Sequence, residues 1–413
     1  MHQKPITISI IRESRDDDKR APLVPKQVKE ILSRYSNLKI LVQPSKNRCF
    51  KDENYFSAGA KIQEDISSSD IILGVKEVDV SALIENKTYL FFSHTSKIGK
   101  DNNQATQGTP GMSKKELLKE ILKKNITLID YENIRDVSRK GYRYLGFGRF
   151  AGIVGCYNTL NLHLKIKQNR SMPRAFEIDD YNKIKEIIAK QNFKNLKILL
   201  TGDGRVAKGS LEFLKYSNIK KISLKDYLTK SYEDAVYCNL PTSEYVQHKY
   251  GRNFSIEDFI KNPHNYHSRI KKYLTVTDIL ISSHYWDPKS PKLFDLSEIK
   301  EFKNLKIIGD ITCDINGSIP TTIRSSSILK PYYRIDKKVF KETLLDKESI
   351  AIMAVDNLPS ELPRDSSEEF GKDVLKEVLP YMIKDDDGRI SRATITSNGH
   401  FCSKYNYLKD FIK

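Results

Sequence analysis

Short apolar runs separated by polar, helix-periodic stretches fill the first third of the chain. Residues 6–11 (Ile-Thr-Ile-Ser-Ile-Ile) alternate like a first strand, and Arg12-Glu13 follows at its end. Positions 25–35 repeat with a helical period that turns Val28, Ile31 and Leu32 to one side, and 38–42 is the next strand. The run 71–75 is apolar throughout, as strands of a sheet covered on both faces tend to be. Runs 89–92 and 126–129 predict two more strands, with a helix over 114–123 between them. Strands alternating with helices predict a doubly wound sheet. The stretch 102–111, rich in Asn, Gln, Thr and Gly, reads as a loop. Residues 140–150 read as a hinge, and the apolar stretch 153–164 as a long crossing helix.

The pattern then changes at Leu196-Lys-Ile-Leu-Leu-Thr-Gly-Asp-Gly-Arg-Val-Ala-Lys-Gly209. A buried strand over 198–200 breaks at Gly202-Asp203-Gly204, and a helical pattern through Leu211, Phe213 and Leu214 follows. Strand, glycine turn and helix in that order form the context of a dinucleotide fingerprint. Gly202 permits the tight turn and Gly204 lets backbone N–H groups approach a pyrophosphate. Ala207 takes the third small position, where helix and strand pass closely. The first N–H groups of the helix face the phosphate charge. Asp226, 24 positions after Gly202, is the acidic residue available for a ribose hydroxyl, where about 20 is usual. Residues 227–272 are polar, aromatic and weakly periodic, and read as an insertion. Strands resume at 278–282, 306–310 and 350–355, and 370–382 predicts a C-terminal helix.

A chain of 413 residues has room for two domains. The net charge of +17 raises a nucleic-acid reading. Lys is spread along the whole length and mixed with Glu and Asp, without a basic arm or zinc module, so a solvated surface is expected and no nucleic-acid partner. The five cysteines are scattered and form no C-x-x-C, which fits reduced thiols and a cytoplasmic setting. No secretory signal is expected at the N-terminus. No run of eighteen apolar residues is present, so no membrane span is expected.

Several polar residues stand where apolar strands end, the rim on which ligands of parallel sheets bind. Lys76 follows the run 71–75, His94 follows 89–92, Asp310 follows 307–308 and Asp356 follows 351–355. Lysine and histidine suit amine and imine chemistry, because a desolvated Lys exchanges its proton near neutrality and His titrates close to pH 7. Arg12, Arg20 and Arg143 are candidate clamps for substrate carboxylates. His264 and His267 sit in a polar loop with no Cys or acidic ligand nearby, so no metal is expected.

A set of segments carries a family resemblance. Val75-Lys-Glu77, Phe91-Phe-Ser-His-Thr-Ser-Lys97, Leu128-Ile-Asp-Tyr-Glu132 and Gly146-Phe-Gly-Arg-Phe-Ala-Gly152 resemble the lysine-forming saccharopine dehydrogenases. So do Thr201–Gly209, Asp310-Ile-Thr-Cys-Asp314 and Asp356-Asn-Leu-Pro-Ser-Glu-Leu-Pro-Arg364. With Asn262-Pro-His-Asn-Tyr266 and His284-Tyr-Trp-Asp287, the chain is most similar to the lysine–oxoglutarate reductase half of bifunctional aminoadipic semialdehyde synthase. The resemblance runs in order over nearly the whole chain, and the broader group includes alanine dehydrogenase and the transhydrogenase nucleotide domains.

The resemblance implies an α/β protein of two doubly wound domains, one a Rossmann dinucleotide-binding domain, with the active site in the cleft between them. Residues 1–140 with 345–413 would form the substrate domain, and 141–344 the Rossmann domain with its insertion at 227–272. By match, Lys76 is the base and His94 the acid–base group. Arg20, Lys97, Glu132 and Arg143 line the substrate side, with Thr312, Cys313 and Asp314 near it. Gly202, Gly204, Arg205, Val206, Tyr285, Ile311, Asp356, Asn357 and Leu358 adjoin the dinucleotide, and Asp226 its ribose. The cofactor is NAD or NADP. The stretch 102–111 has no counterpart in the family pattern. The expected reaction is reversible conversion of saccharopine to lysine and 2-oxoglutarate. Alanine dehydrogenase-like deamination, which needs only one carboxylate clamp, is the alternative among enzymes. A nucleotide-binding homologue without catalysis is the alternative outside them.

Overall fold

The structure, a computed structural model, describes residues 5–98, 113–139, 141–345 and 347–412. The 102–111 stretch and Lys140 lie outside the described residues. The chain divides into two units, Met1–Phe147 with Pro363–Lys413, and Gly148–Leu362.

In the first unit the alternating run becomes β1 (Ile6–Ile10), and β2 (Leu38–Val42), β3 (Lys61–Ile62), β4 (Ile71–Leu73), β5 (Thr88–Phe91) and β6 (Thr127–Asp130) follow. They pair in parallel in the order β6-β5-β4-β1-β2-β3. Two antiparallel strands from the C-terminal segment, Thr394–Ser397 and His400–Phe401, extend the β6 edge. The order reverses at β1, so the switch point where α/β sheets bind ligands lies beyond β1 and β4. Helix α1 (Pro25–Arg34) starts on a proline, whose missing N–H is no loss there, and buries Val28 and Ile31. Helix α2 (Lys114–Lys123) opens on a reciprocal cap. The Glu116 N–H donates to Ser113 Oγ at 3.1 Å and the Ser113 N–H to Glu116 Oε2 at 2.9 Å. A two-stranded hairpin, β7 (Arg135–Asp136) and β8 (Tyr142–Arg143), stands apart from the sheet. The helix expected over 370–382 begins at Pro363 and ends at Glu377, and a separate one spans Leu379–Ile383. Pro380 lacks the N–H that would carry the first helix onward.

The second unit opens with the 21-residue helix α3 (Gly148–Gln168), buried from Gly152 to Leu164. Its sheet contains β9 (Lys197–Thr201), β10 (Lys220–Lys221), β11 (Val236–Leu240), β14 (Ile279–Ser282), β15 (Ile307–Asp310), β16 (Tyr332–Asp336) and β17 (Ser349–Met353). The order is β10-β11-β9-β14-β15-β17-β16, with only β16 antiparallel. Helix α4 (Arg205–Leu214) follows β9, and α5 (Leu224–Thr229) follows β10. A small hairpin, β12 (Val246–His248) with β13 (Tyr266–Ser268), lies outside the sheet.

Two expectations change. The segment 227–272 is not simply an insertion: it supplies β11, a buried strand seated directly against β9. The boundary expected at 345 falls too early, because β17 pairs with β15 and β16 inside the second unit. Helix α4 also approaches α3 closely, at Gly209. A Cβ on Gly209 would stand 2.0 Å from the Arg149 carbonyl oxygen, and one on Gly152 2.0 Å from that of Val206. Two helices cross backbone to backbone there, which only glycine allows.

Candidate functional site

At the switch point of the first sheet, the chain leaving β1 turns Glu13 back toward β4. The Glu13 carboxylate accepts the N–H groups of Val75 at 2.7 Å and Lys76 at 2.8 Å, fixing the backbone that carries Lys76. Burial pushes Glu13 up to about 8, with Asp18 adding to the shift and the two N–H groups opposing it. Asp18 and Arg20 are both buried, and Arg20 Nε donates to Asp18 Oδ1 at 2.9 Å. Burial would raise Asp18, but the Arg20 charge and hydrogen bonds outweigh it and hold the carboxyl at about 2, with Lys76 contributing. The Arg20 guanidinium lies 4.2 Å from the Phe147 ring centroid. Lys76 is half-buried, and among the described residues nothing forms a hydrogen bond or ion pair with its Nζ. Its neighbour Glu77 is buried with neither carboxylate oxygen hydrogen-bonded among the described residues, and burial raises it.

The ends of β5 and β6 complete the cluster. His94 follows β5 in the left-handed region (φ 53°). Its N–H donates to Asp130 Oδ2 at 3.0 Å, and the Ser93 hydroxyl donates to the same oxygen at 2.7 Å. Asp130 Oδ1 accepts the Glu132 N–H at 2.8 Å, so one buried carboxyl at the end of β6 ties both segments together. Burial pushes Asp130 up to about 6.

Glu132, its side chain 3% exposed, is the hub. Oε2 meets His94 Nδ1 at 3.0 Å, and Oε1 meets Lys97 Nζ at 3.0 Å and the Arg143 guanidinium at 2.5 Å. Burial alone would raise the Glu132 carboxyl; the His94 bond and the two cations overcome it and hold it well below the usual carboxylate range. Burial pushes the His94 imidazole down to about 4, the Glu132 bond opposes, and the charges of Lys97 and Lys76 add to the lowering. Lys97 and Arg143 remain 39% and 41% exposed. Arg12, by contrast, is spent on a surface ion pair with Glu64.

In the second unit the glycine turn follows β9. Gly202 has φ 96°, and a Cβ on it would come within 2.8 Å of His284 Cα. Its N–H donates to the Leu240 carbonyl at 3.0 Å, and its own carbonyl accepts Asn239 Nδ2–H at 2.8 Å. Gly204 caps α4, and a Cβ there would meet nothing within 4 Å. Arg205 and Val206 form the first turn of the helix. This open space over the N-terminal N–H groups of a ten-residue helix fits the pyrophosphate of a dinucleotide.

His284, behind β14, is buried beside the turn. Its Nδ1 lies 2.8 Å from Thr201 Oγ1, while Nε2 has no hydrogen-bond partner among the described residues, and burial lowers the ring to about 4. Tyr285 is 79% exposed. Ile311, Asn357 and Leu358 are buried and Asp356 is half-buried behind β17. At the end of β15 the Thr312 hydroxyl donates to Asp310 Oδ1 at 2.6 Å. Asp314 is half-buried. Cys313 turns its thiol inward, 3.0 Å from the Ala354 carbonyl oxygen. Asp226 lies in α5, after β10, and pairs with Lys230 at 3.0 Å. Among the described residues no group of three His, Cys, Asp or Glu is positioned to hold a metal ion.

The polar residues that reading the sequence left without a site role are Glu13, Asp18, Glu77, Asp130, Asn239 and His284. Glu13, Glu77 and Asp130 stand at or just after strand ends in the first unit, the same signal that marks Lys76 and His94.

Two family models match the chain: "Alanine dehydrogenase/PNT, N-terminal domain" over residues 9–153, and "Alanine dehydrogenase/PNT, C-terminal domain" over residues 235–404. The chain is 28% identical to the mitochondrial alpha-aminoadipic semialdehyde synthase of Mus musculus, over 99% of its own length and 48% of that protein's. It is 29% identical to the alpha-aminoadipic semialdehyde synthase of Arabidopsis thaliana, over 95% and 40%. It thus spans about half or less of the length of these relatives. A saccharopine dehydrogenase [NAD(+), L-lysine-forming] of Candida glabrata is 26% identical over 91% of this chain and 92% of its own. Among solved structures, an L-alanine dehydrogenase superposes with TM-score 0.61 at 12% identity, covering 99% of this chain and 100% of that one. A transhydrogenase from Sinorhizobium meliloti does so at 0.58, also at 12% identity, over 96% and 100%. These structures share the fold.

Proposed function

The chain belongs to the alanine dehydrogenase/PNT family, and from that premise we propose that it is a pyridine-nucleotide-dependent oxidoreductase acting on a secondary amine. Its reaction is the reversible conversion of saccharopine to lysine and 2-oxoglutarate. The observation that carries this reading is the cluster beyond β4, β5 and β6. An ammonium, Lys76, with no ion-pair partner among the described residues stands with an imidazole, His94, whose orientation a buried carboxylate sets.

A bound nicotinamide would supply or accept the hydride of the carbon that bears the secondary amine. An ionised Glu132 only accepts, so the neutral His94 carries its proton on Nδ1 and presents a lone pair at Nε2. That atom takes a proton from the water that opens the substrate imine, and returns it in the reverse direction. Lys76, once neutral, takes the proton of the secondary amine. Lys97 and Arg143 each spend one contact on Glu132 and keep further N–H donors for substrate carboxylates. In the second unit the Gly202–Val206 turn would hold the pyrophosphate of NAD or NADP.

The test is spectrophotometric: loss of reduced-nicotinamide absorbance with lysine and 2-oxoglutarate together. Consumption with pyruvate and ammonia, and none with lysine and 2-oxoglutarate, would give the site to alanine-type deamination. No consumption with either pair would remove the proposed substrate class.

A further inference from the structure

The order of strands in the second sheet reassigns the cofactor-discriminating end of the site. In a dinucleotide fold the residue that meets the 2′ position of the adenosine ribose stands at the carboxyl end of the strand next to the glycine-turn strand. The next strand in sequence after β9 is β10, and Asp226 follows it. In space that place belongs to β11, which pairs with β9 over five residues, from Val236↔Lys197 to Leu240↔Thr201. Among the described residues β10 pairs with β11 alone. At about 4.8 Å per strand, β10 is displaced by about 10 Å from β9.

The end of β11 is also stitched to the glycine turn. Asn239 Nδ2 donates to the Gly202 carbonyl at 2.8 Å and the Leu200 carbonyl at 3.3 Å, and the Gly202 N–H returns to Leu240 O at 3.0 Å. The residues that follow are Pro241-Thr242-Ser243, all half-buried. Thr242 Oγ1 lies 3.1 Å from the Tyr245 hydroxyl. The nearest carboxylate in sequence, Glu244, is turned to Arg269 at 3.4 Å and the Tyr273 hydroxyl at 3.5 Å. Asp226 is committed elsewhere, to Lys230.

We infer that Thr242 and Ser243, at the end of β11, read the 2′ substituent of the adenosine ribose, and that Asp226 does not. This rests on the dinucleotide reading above. Two hydroxyl-bearing residues there can donate to a 2′-phosphate as well as to a 2′-hydroxyl, so the site accommodates either cofactor, with the Asp203 charge acting on the neighbouring Tyr245 hydroxyl.

The experiment is a fluorescence titration of the full chain with NADH and with NADPH, taking the ratio of the two Kd values. Ser243→Asp, and independently Thr242→Asp, place a carboxylate against the 2′ position. Each is expected to weaken NADPH relative to NADH by about tenfold or more, since like charges brought together at a binding surface are strongly disfavoured. Asp226→Ser is expected to leave the ratio where it was. A ratio that moves with Asp226→Ser and stays fixed in both carboxylate variants, with NADH still bound, overturns the assignment and returns the ribose to the β10 side. Failure of wild-type protein to bind either nucleotide overturns the dinucleotide reading itself, and the assignment with it.

Discussion

His94 Nδ1 lies 3.0 Å from Glu132 Oε2, and that single contact decides which imidazole nitrogen is basic. A carboxylate cannot donate, so the proton stays on Nδ1 and Nε2 is left for chemistry. The opposite oxygen of Glu132 holds Lys97 and Arg143, so one buried charge organises three functional side chains.

Glu132→Gln is therefore expected to do more than delete an ion pair. His94 loses the partner that raises its pKa, and the charges of Lys97 and Lys76 remain to lower it. An NMR titration of the His94 ring should show its midpoint, about 4 in the wild type, move further down. The wild-type Glu132 carboxyl is lowered in the folded state, so its contribution to stability is present above the unfolded carboxyl pKa and lost as pH falls through the folded one. Removing the charge should flatten that acid limb of the Tm–pH curve. A His94 midpoint that rises in the variant would show that Glu132 is not its effective partner.

The glycine turn separates folding from binding. Gly202 needs φ 96°, and a Cβ there would strike the His284 backbone at 2.8 Å, whereas a Cβ on Gly204 meets nothing. Gly202→Ala should lower Tm by forcing a strained backbone, at a cost of about 1–3 kcal/mol. Gly204→Val should leave Tm nearly unchanged and abolish NAD(P)H binding in a fluorescence titration, because the branched side chain fills the space over the α4 N–H groups. Undiminished binding by Gly204→Val would take the turn out of the nucleotide site.

How far the sequence foretold these arrangements follows from what each one rests on. The apolar runs at 6–10, 71–73 and 307–308 are strands because they are buried on both faces, and that shows as unbroken or alternating hydrophobicity. Lys76 and His94 are legible because strand ends are. Glu132 as a hub is not, since its partners arrive from the turns after β5 and from the β8 hairpin, contacts that no local pattern encodes. β11 carries the strand signal Val-Tyr-Cys-Asn-Leu, but its polar, aromatic surroundings hide it, and its place beside β9 depends on pairing across the chain. The inference above moves the ribose from Asp226 to the end of β11 for that reason: counting residues from Gly202 presumes that the next strand in sequence is the next in space.

Glu361 should be visible in a stability profile. It is fully buried, accepts Asn158 Nδ2–H at 2.7 Å and the Arg174 guanidinium at 3.2 Å, and burial pushes it up to about 7. A carboxyl raised in the folded state contributes stability that is complete below the unfolded pKa of 4.5 and is lost as pH rises through the folded value. Between pH 4.5 and about 7 the loss from this group approaches about 3 kcal/mol. Glu361→Gln, which keeps an acceptor for Asn158 and does not ionise, should remove that decline. Urea midpoints at pH 5 and pH 8 check it: the variant should gain on the wild type at the higher pH. An equal difference at both values would mean that the loss of stability between pH 5 and pH 8 does not come from Glu361.

Lys76 gives the sharpest separation between a proton-transfer group and a mere charge. Glu13 fixes its backbone through two N–H contacts, while Nζ has no ion-pair partner among the described residues. Lys76→Met should leave dinucleotide Kd unchanged and depress kcat by about a hundredfold or more, the usual contribution of a positioned acid–base group. One limb of the pH–rate profile should flatten, because a titrating group is gone. The other limb should move upward, because the Lys76 charge lowers His94 and its removal lets the imidazole hold a proton more strongly. Lys76→Arg restores the charge but cannot release a proton, so it should return the His94 limb to its wild-type position without recovering kcat. Recovery of kcat by arginine would reduce Lys76 to an electrostatic support, and proton transfer from the amine would then fall to His94.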